Sequence, residues 1–376
     1  MVYILRSGHL DHDYDDSIYT IGIIDAYKSL LINEQYYGQG YFELQAPATK
    51  ANINLLLPGN YVVREEDVNN ALKQRVCAIQ DVTIRADADQ GAMIIATGAS
   101  LGNEILKKRV IKDRQFLTGS AKDAVIEMLN QAFRNLYAGV VGNTPEREIK
   151  YFNQPSIEPT EGTINTQVLG ERIDEWIESI CRTYGWGWKV YLNGANYQFH
   201  IYKGADRTNS QSWLIPSPNI VFSREYDNLY NSEYSRYTSN YTNCAYIYGE
   251  DTDDGTRRKN TKYDPDSVAD ILRYERFVDS SMSQTEGEVT ISDAQYYLNL
   301  QNLAKQEMAQ VKLYDFTAVT DPDGMFKLNE DYFLGDIVKV VTEYGITAKA
   351  RITEIIYSED EQGKSVVPGF EEWEVI

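Results

Sequence analysis

Two imidazoles and four carboxylates fall within the eight residues His9-Leu10-Asp11-His12-Asp13-Tyr14-Asp15-Asp16. Ring nitrogens and carboxylates at that density could clasp a divalent ion, with His9, Asp11 and His12 the first ligands to consider. The spacing fits no ligand motif of defined geometry, and a solvated acidic turn accounts for the same residues, so no metal is expected. Asp251-Thr252-Asp253-Asp254-Gly255-Thr256 opens like a calcium loop but lacks the distal bidentate glutamate, and reads as a solvent-exposed loop. His200 lies in a hairpin strand beside aromatic residues, where packing is favoured over a role as general base. Trp186 and Trp188 could stack on a sugar, but with Gly185 and Gly187 around them they read as a structural hairpin. No Gly-x-Ser-x-Gly elbow, His-Glu-x-x-His pair or phosphate-binding P-loop occurs. Neither an enzyme nor a bound cofactor is expected.

The totals point the same way. At 376 residues the chain can hold two to four domains, each with its own core. No apolar run is long enough to span a membrane. Met1-Val2-Tyr3-Ile4-Leu5-Arg6 is strand-like and too short for a signal peptide, so synthesis and retention in a cytoplasm are expected. Cys77, Cys181 and Cys244 are far apart and lie in apolar settings, which suits core thiols and not a disulfide framework or zinc site. With 36 basic and 56 acidic residues the net charge is −20. That balance argues against a nucleic-acid-binding groove, which needs basic patches to release counterions. Tyrosine outnumbers phenylalanine 29 to 11; a ring with a polar tip suits β surfaces and interfaces.

The elements that would position these residues are organised around the last segment. Leu334-Gly335-Asp336-Ile337-Val338-Lys339-Val340-Val341 reads as a strand opened by a tight Gly-Asp turn. Ala348 to Tyr357 alternates with period two, Ser358 to Gly363 is an acidic hairpin loop, and Ser365-Val366-Val367 returns. The same order occurs near the start. Gly59-Asn60-Tyr61-Val62-Val63-Arg64 matches the opening turn, and Val76 to Ile84 matches Ala350 to Ser358. Ala86 to Gly91 matches the acidic hairpin, and Met93-Ile94-Ile95 the return strand. Gly59, Val62 and Val63 on one side, and Gly335, Asp336 and Val338 on the other, form the framework of the repeat. The interval from the first glycine to the hairpin glycine is four residues longer in the first copy, where Glu65 to Gln74 is inserted. This pattern predicts two copies of one β unit separated by a different domain.

Between them, Ser120 to Tyr137 is an amphipathic helix capped by Ser120, and Val168 to Tyr184 a second one ending at Gly185. Trp186 to Tyr202 is a hairpin turning at Asn193-Gly194. Asn228 to Tyr248 and Arg273 to Asp279 are strands, and Ser292 to Val311 is a third helix. Thr20 to Leu31 and Gly40 to Ala46 are also strands. The expected fold is mainly β with α+β insertions: two similar antiparallel β-barrel units around an α/β region. The expected division is a first barrel over 1–112, an α+β domain over 113–217, and strands of the second barrel over 218–262. A loop-strand-helix segment over 263–313 and the closing barrel unit over 314–376 follow.

Several stretches, in order along nearly the whole chain, resemble siphovirus tail-tip hub proteins. They include Ile23 to Leu30, Gly40 to Pro47, Gly59 to Glu65, Thr183 to Trp188, Glu225 to Leu229 and Tyr332 to Val338. This family is related to the baseplate hubs of contractile tails and to the N-terminal part of tail-associated lysins. The resemblance implies a homotrimer at the end of the tail tube, with six quasi-equivalent barrels matching a hexameric distal-tail or tube ring. It also implies fibre, spike or receptor-binding proteins below the hub, and double-stranded DNA passing through without specific binding. The acidic balance suits a lumen that repels phosphate. The expected location is the virion tail tip, after assembly in the host cytoplasm. Wall digestion and receptor binding are expected of other proteins, because no peptidase, lysozyme-like or fibre segment follows the closing unit. The alternative is a tail-associated wall hydrolase or glycan-binding module.

Overall fold

The computed structural model describes residues 1–7, 18–69, 72–73, 75–87, 91–134, 145–208, 219–252, 255, 257–286, 289–309, 311, 314–319 and 325–375. Strands β1 (Val2–Ser7), β2 (Ile18–Ile24), β3 (Ser29–Gln35) and β4 (Tyr41–Pro47) lead to a short helix, α1 (Lys50–Leu55). Thr49 caps α1 by accepting from the Asn52 amide. Then come β5 (Tyr61–Arg64), the turn-length α2 (Glu65–Val68), β6 (Leu72–Lys73), the hairpin β7 (Val76–Asp87) and β8 (Gly91–Ser100), and α3 (Leu101–Leu106). Alternation sets these strands: in β4 Phe42, Leu44 and Ala46 are buried while Tyr41 and Pro47 are exposed.

The middle region holds β9 (Gln115–Ser120), α4 (Ala121–Phe133), β10 (Ser156–Ile157), β11 (Thr163–Val168), α5 (Ile173–Tyr184), β12 (Gly187–Asn193) and β13 (Asn196–Tyr202). Ser120 caps α4 by accepting from the Asp123 amide at 3.2 Å. α5 carries Asp174 and Glu175 in its first turn, favourable against the helix dipole, and ends on Gly185 at φ 67°. It starts five residues later than expected, because Thr163–Val168 alternates buried and exposed residues and pairs antiparallel with β9.

The second half holds β14 (Val221–Ser223), β15 (Tyr230–Arg236), β16 (Cys244–Asp251), β17 (Arg258–Tyr263), β18 (Glu275–Asp279) and the two-residue pair β19 (Thr285–Glu286) and β20 (Val289–Thr290). Then follow α6 (Asp293–Ala309), β21 (Tyr314–Val319), β22 (Ile337–Val341), β23 (Thr347–Asp360) and β24 (Gly363–Val375). Among the described residues no helix is long and apolar enough to cross a membrane.

The fold is mainly β, but the strand pairing corrects the expectation of two separate closed barrels. One 13-stranded sheet runs β15-β21-β24-β23-β3-β4-β8-β7-β5-β1-β2, with β22 on β23 and β14 on β22. Among the described residues this path is open, ending at β2 and β15. The halves join because β22 covers only Thr347–Arg351 of β23, leaving Glu354–Asp360 to pair with β3. One apolar core accordingly draws on both halves, with Ile4, Ile32, Phe42 and Val62 clustered with Phe222, Phe316, Val338 and Phe370. The division near residue 262 also differs. β16 pairs with β17 on one side and β18 on the other, apart from the large sheet, and α6 covers this small sheet with Tyr296, Leu300 and Ala304 against Ala245, Ile247 and Val278.

Each half contains five strands in one chain order and one sheet order: β3-β4-β8-β7-β5 and β15-β21-β24-β23-β22. Val62 lies opposite Cys77, as Val338 lies opposite Ala350. Gly59 donates to the Ile79 carbonyl and Asn60 accepts from the Ile79 amide, both at 2.9 Å; Gly335 and Asp336 bracket Ile352 in the same way at 2.8 and 2.9 Å. Both long strands then lose register just after that isoleucine, between Ile79 and Asp81 and between Ile352 and Glu354. At the bulge Phe42 faces Gly98, and Phe316 faces Phe370. Cys77 is thus the counterpart of Ala350, one residue from the alignment read in the sequence. A period-two pattern with a bulge cannot fix that register without the pairing itself.

Phe42 and Phe316 occupy matching positions, 1% and 0% exposed. Replacing either with alanine should destabilise the fold by about 3–5 kcal/mol. Thermal unfolding checks this; a loss confined to one of the two would show that they do not support a common core.

Candidate functional site

The place where most of the chain converges is the seam between β3 and β23. Antiparallel pairing sets Ile356 opposite Asn33 and Tyr357 opposite Ile32. Glu354, opposite Gln35, accepts hydrogen bonds of 2.5 Å from the side-chain amides of Asn33 and Gln35.

Tyr36 follows at the end of β3 and is fully buried. Its amide donates to the Thr353 carbonyl at 2.8 Å, and its carbonyl accepts from the Trp188 amide at 3.2 Å. Its hydroxyl donates to the Gly185 carbonyl at 3.1 Å and accepts from the Gly204 amide at 3.2 Å. The ring fits because two neighbours lack side chains: a Cβ on Gly187 or Gly335 would stand 2.1 or 2.2 Å from it. Gly335 also sits at φ 98°, where a side chain is strained in any case. The Arg351 guanidinium lies 5.5 Å from the ring centre and donates to the Gly335 carbonyl at 2.8 Å. One phenol therefore ties β3, the β23 half and the middle region together.

The two opening turns differ in what they hold. Asn60 is 1% exposed and donates its amide to the Leu55 carbonyl at 2.8 Å. Asp336, 2% exposed, faces donors: the Ala205 amide at 2.7 Å, the Phe333 amide at 3.0 Å and the Arg207 guanidinium. An amide where a carbonyl must be met, and a carboxylate where N–H groups and a cation converge, is the choice that leaves no buried group unpaired. Asp336 thereby anchors the segment leaving β13 to the second half.

Beside the seam is a cavity of about 750 Å³, whose wall includes Glu34, Asp67, Arg75, Lys189, His200 and Asp336. Arg75 donates to Asp67 at 2.9 Å and to the Tyr357 hydroxyl at 2.9 Å, its guanidinium lying over the Tyr357 ring. Burial raises the Glu34 carboxyl above its usual 4.5, opposed by Arg75 and Lys189. Burial lowers Lys189, opposed by Glu34 and Glu158. Burial likewise lowers His200, whose Nε2 is 3.2 Å from Glu158 and whose ring stacks on Tyr202. Arg75 pairs with Asp67 and His200 with Glu158, and Cys77 and Ser100 also line the cavity, the Cys77 thiol being raised by burial. The arrangement is suited to joining three parts of the chain.

Of the residues singled out in the sequence, His9, Asp11 and His12 lie outside the described residues, as do Asp253, Asp254 and Thr256. Among the described residues no group of three or more His, Cys, Asp or Glu could hold a metal ion. Trp186 and Trp188 are both buried, at 0% and 3% exposure. Val62 and Val63 lie in β5 with Gly59 in the turn before it, and Val338 lies in β22 with Gly335 and Asp336 in the turn before it. Sequence reasoning did not single out Tyr36, Arg207, Arg351 or Glu354. Tyr36 falls in the interval between the strands expected at Thr20 to Leu31 and Gly40 to Ala46, where no spacing or motif marks it out.

Tyr36→Phe removes a hydroxyl that satisfies two backbone groups, and should destabilise by about 1–3 kcal/mol; denaturant unfolding measures this. Glu34 gives a pH test. A carboxyl whose folded pKa is raised makes stability fall as pH rises from about 4.5 through the folded value. Glu34→Gln should therefore raise the melting temperature at pH 7–8, with the gain shrinking as pH approaches 4.5. An unchanged or lower melting temperature at pH 8 would contradict this account of the cavity.

The fold is shared with phage and prophage tail proteins. A tail protein from Neisseria meningitidis MC58 superposes with a TM-score of 0.56 at 14% identity, covering 99% of this chain and 96% of that one. The 43 kDa tail protein of prophage MuSo2 from Shewanella oneidensis gives 0.57 at 12% identity, covering 98% of both. The prophage tail protein gp18 from Listeria monocytogenes gives 0.52 at 11% identity, covering 99% and 94%. No curated protein matches the chain by sequence. The family model described as Siphovirus ReqiPepy6 Gp37-like protein does match, over residues 14–370. With that match spanning almost the whole sequence and the tail-protein fold beneath it, the chain belongs to the Siphovirus ReqiPepy6 Gp37-like protein family.

Proposed function

We propose that the chain is the structural hub at the tip of a phage or prophage tail, acting without enzymatic activity. The observation that carries this reading is the repeated five-strand run. Two such units per chain make six in a homotrimer, the number needed to meet a hexameric distal-tail or tube ring above a threefold tip. In this reading the two units are duplicated barrel-like domains completed on assembly, β3–β8 the first and β14, β15 and β21–β24 the second. The segment between β8 and β14 is an α+β domain, and the segment between β15 and β21 is an insertion. Fibre, spike or receptor-binding proteins attach below. A net charge of −20 suits a channel that double-stranded DNA passes without being held. The burial of both Trp186 and Trp188 removes the stacking surface that a glycan-binding module would use.

Two measurements test the proposal. An epitope tag on the chain in assembled particles should label the distal end of the tail; label along the tube, or none, overturns the hub. Light scattering on the purified protein should give three chains of 43.0 kDa, and a stable dimer or tetramer overturns the threefold ring.

A further inference from the structure

The intrachain seam specifies an interchain one. Within the chain, the far half of β23 pairs with β3, in the register Ile356 to Asn33, Tyr357 to Ile32 and Ser358 to Leu31. The repeat assigns each of these residues a counterpart. Ile79 matches Ile352 through its bracketing hydrogen bonds, so Thr83, Ile84 and Arg85 match Ile356, Tyr357 and Ser358. Phe42 matches Phe316, and their partners Ile32 and Tyr234 match in turn. Ser235, Tyr234 and Glu233 are therefore the counterparts of Asn33, Ile32 and Leu31.

Both counterpart edges are open among the described strands. β5 covers β7 only at Val76–Ala78, leaving the outer edge of Asp81–Asp87 without a strand. β15 pairs with β21 alone and ends the sheet. An uncovered edge of this length invites pairing with another chain. The side chains fit that event. Ile84 is 51% exposed, whereas its counterpart Tyr357, covered by β3, is 9% exposed.

We infer that β15 of one copy adds to the outer edge of β7 in a second copy, antiparallel, setting Thr83 opposite Ser235, Ile84 opposite Tyr234 and Arg85 opposite Glu233. A hydroxyl pair, an apolar–aromatic pair and an ion pair are each stabilising directly across a ladder. The contact is head-to-tail, so it leaves a fresh β7 edge and a fresh β15 edge on the growing assembly until rotation closes a ring. The inference rests on the repeat that carries the hub proposal, and adds the strand, the register and the residues of the joint.

The test is the double variant Thr83→Cys/Ser235→Cys in the full chain, oxidised both as purified protein and within assembled particles. Directly opposed Cα atoms lie about 4.5–5.5 Å apart, inside the span of about 4.4–6.8 Å that a disulfide bridges. Covalent multimers from the double variant, and none beyond dimers from either single variant, are expected. Arg85→Glu or Glu233→Arg alone should weaken self-association several-fold, and the two together should restore it. Absence of the crosslink in both preparations overturns the edge pairing, even if the tag places the chain at the tail end. A crosslink in the purified protein with no label in particles would keep the pairing and overturn the hub.

Discussion

The structure depends on one buried phenol. Tyr36 fills a space that exists because Gly187 and Gly335 have no Cβ, and its polar atoms are consumed by backbone from three separate stretches. Dense packing gives such a ring no alternative position, so β3, the turn at Gly335 and the strand at Gly187 are fixed relative to one another at once. The surrounding polar groups follow from that approach. Asp336 meets the amides and guanidinium brought beside it, and Arg351 caps the ring while satisfying the Gly335 carbonyl. Hydrogen bonds in such a site are obligatory, because a missing partner would strand a desolvated group.

Around this node the chain uses one strand arrangement twice and varies it where the halves must differ. The opening turns show how little has to change. The backbone of Asn60 and Asp336 makes the same bonds to the bulge isoleucine, while the side chain selects opposite partners. The cavity beside the seam is tolerated for a related reason: its charges are arranged as mutual partners, so Glu34 and Lys189 each lessen the other's shift.

Local patterning made much of this visible in the sequence. Helix caps at Ser120 and Ser292, the Gly185 terminus and the hairpin at residues 187–202 are short-range features, and each is written in adjacent residues. The repeat was also legible, since a turn, an alternating strand and an acidic hairpin recur in order. Three of the four extra residues fall between β5 and β7, and the fourth in the hairpin loop. Long-range facts were not legible. Nothing in Asn33-Glu34-Gln35 announces a partner strand more than 300 residues away. Nor does Asn243 to Tyr248 reveal that it leaves the large sheet for a smaller one, because an alternating strand looks the same in either.

The distance along the chain between the two sides of the seam has a kinetic meaning. During synthesis the β3–β4 hairpin and β7–β8 emerge early and can pair among themselves, whereas β23 and β24 emerge last. Until then the Tyr36 amide lacks the Thr353 carbonyl and the edge of β3 stands uncovered. Contacts of such high order form late and slowly, and a nascent chain with an open strand edge is exposed to aggregation in the meantime. The step that locks the molecule is thus the arrival of its final 40 or so residues. A chain truncated shortly before β23 would keep most of its strands and still lack the contact that orients them.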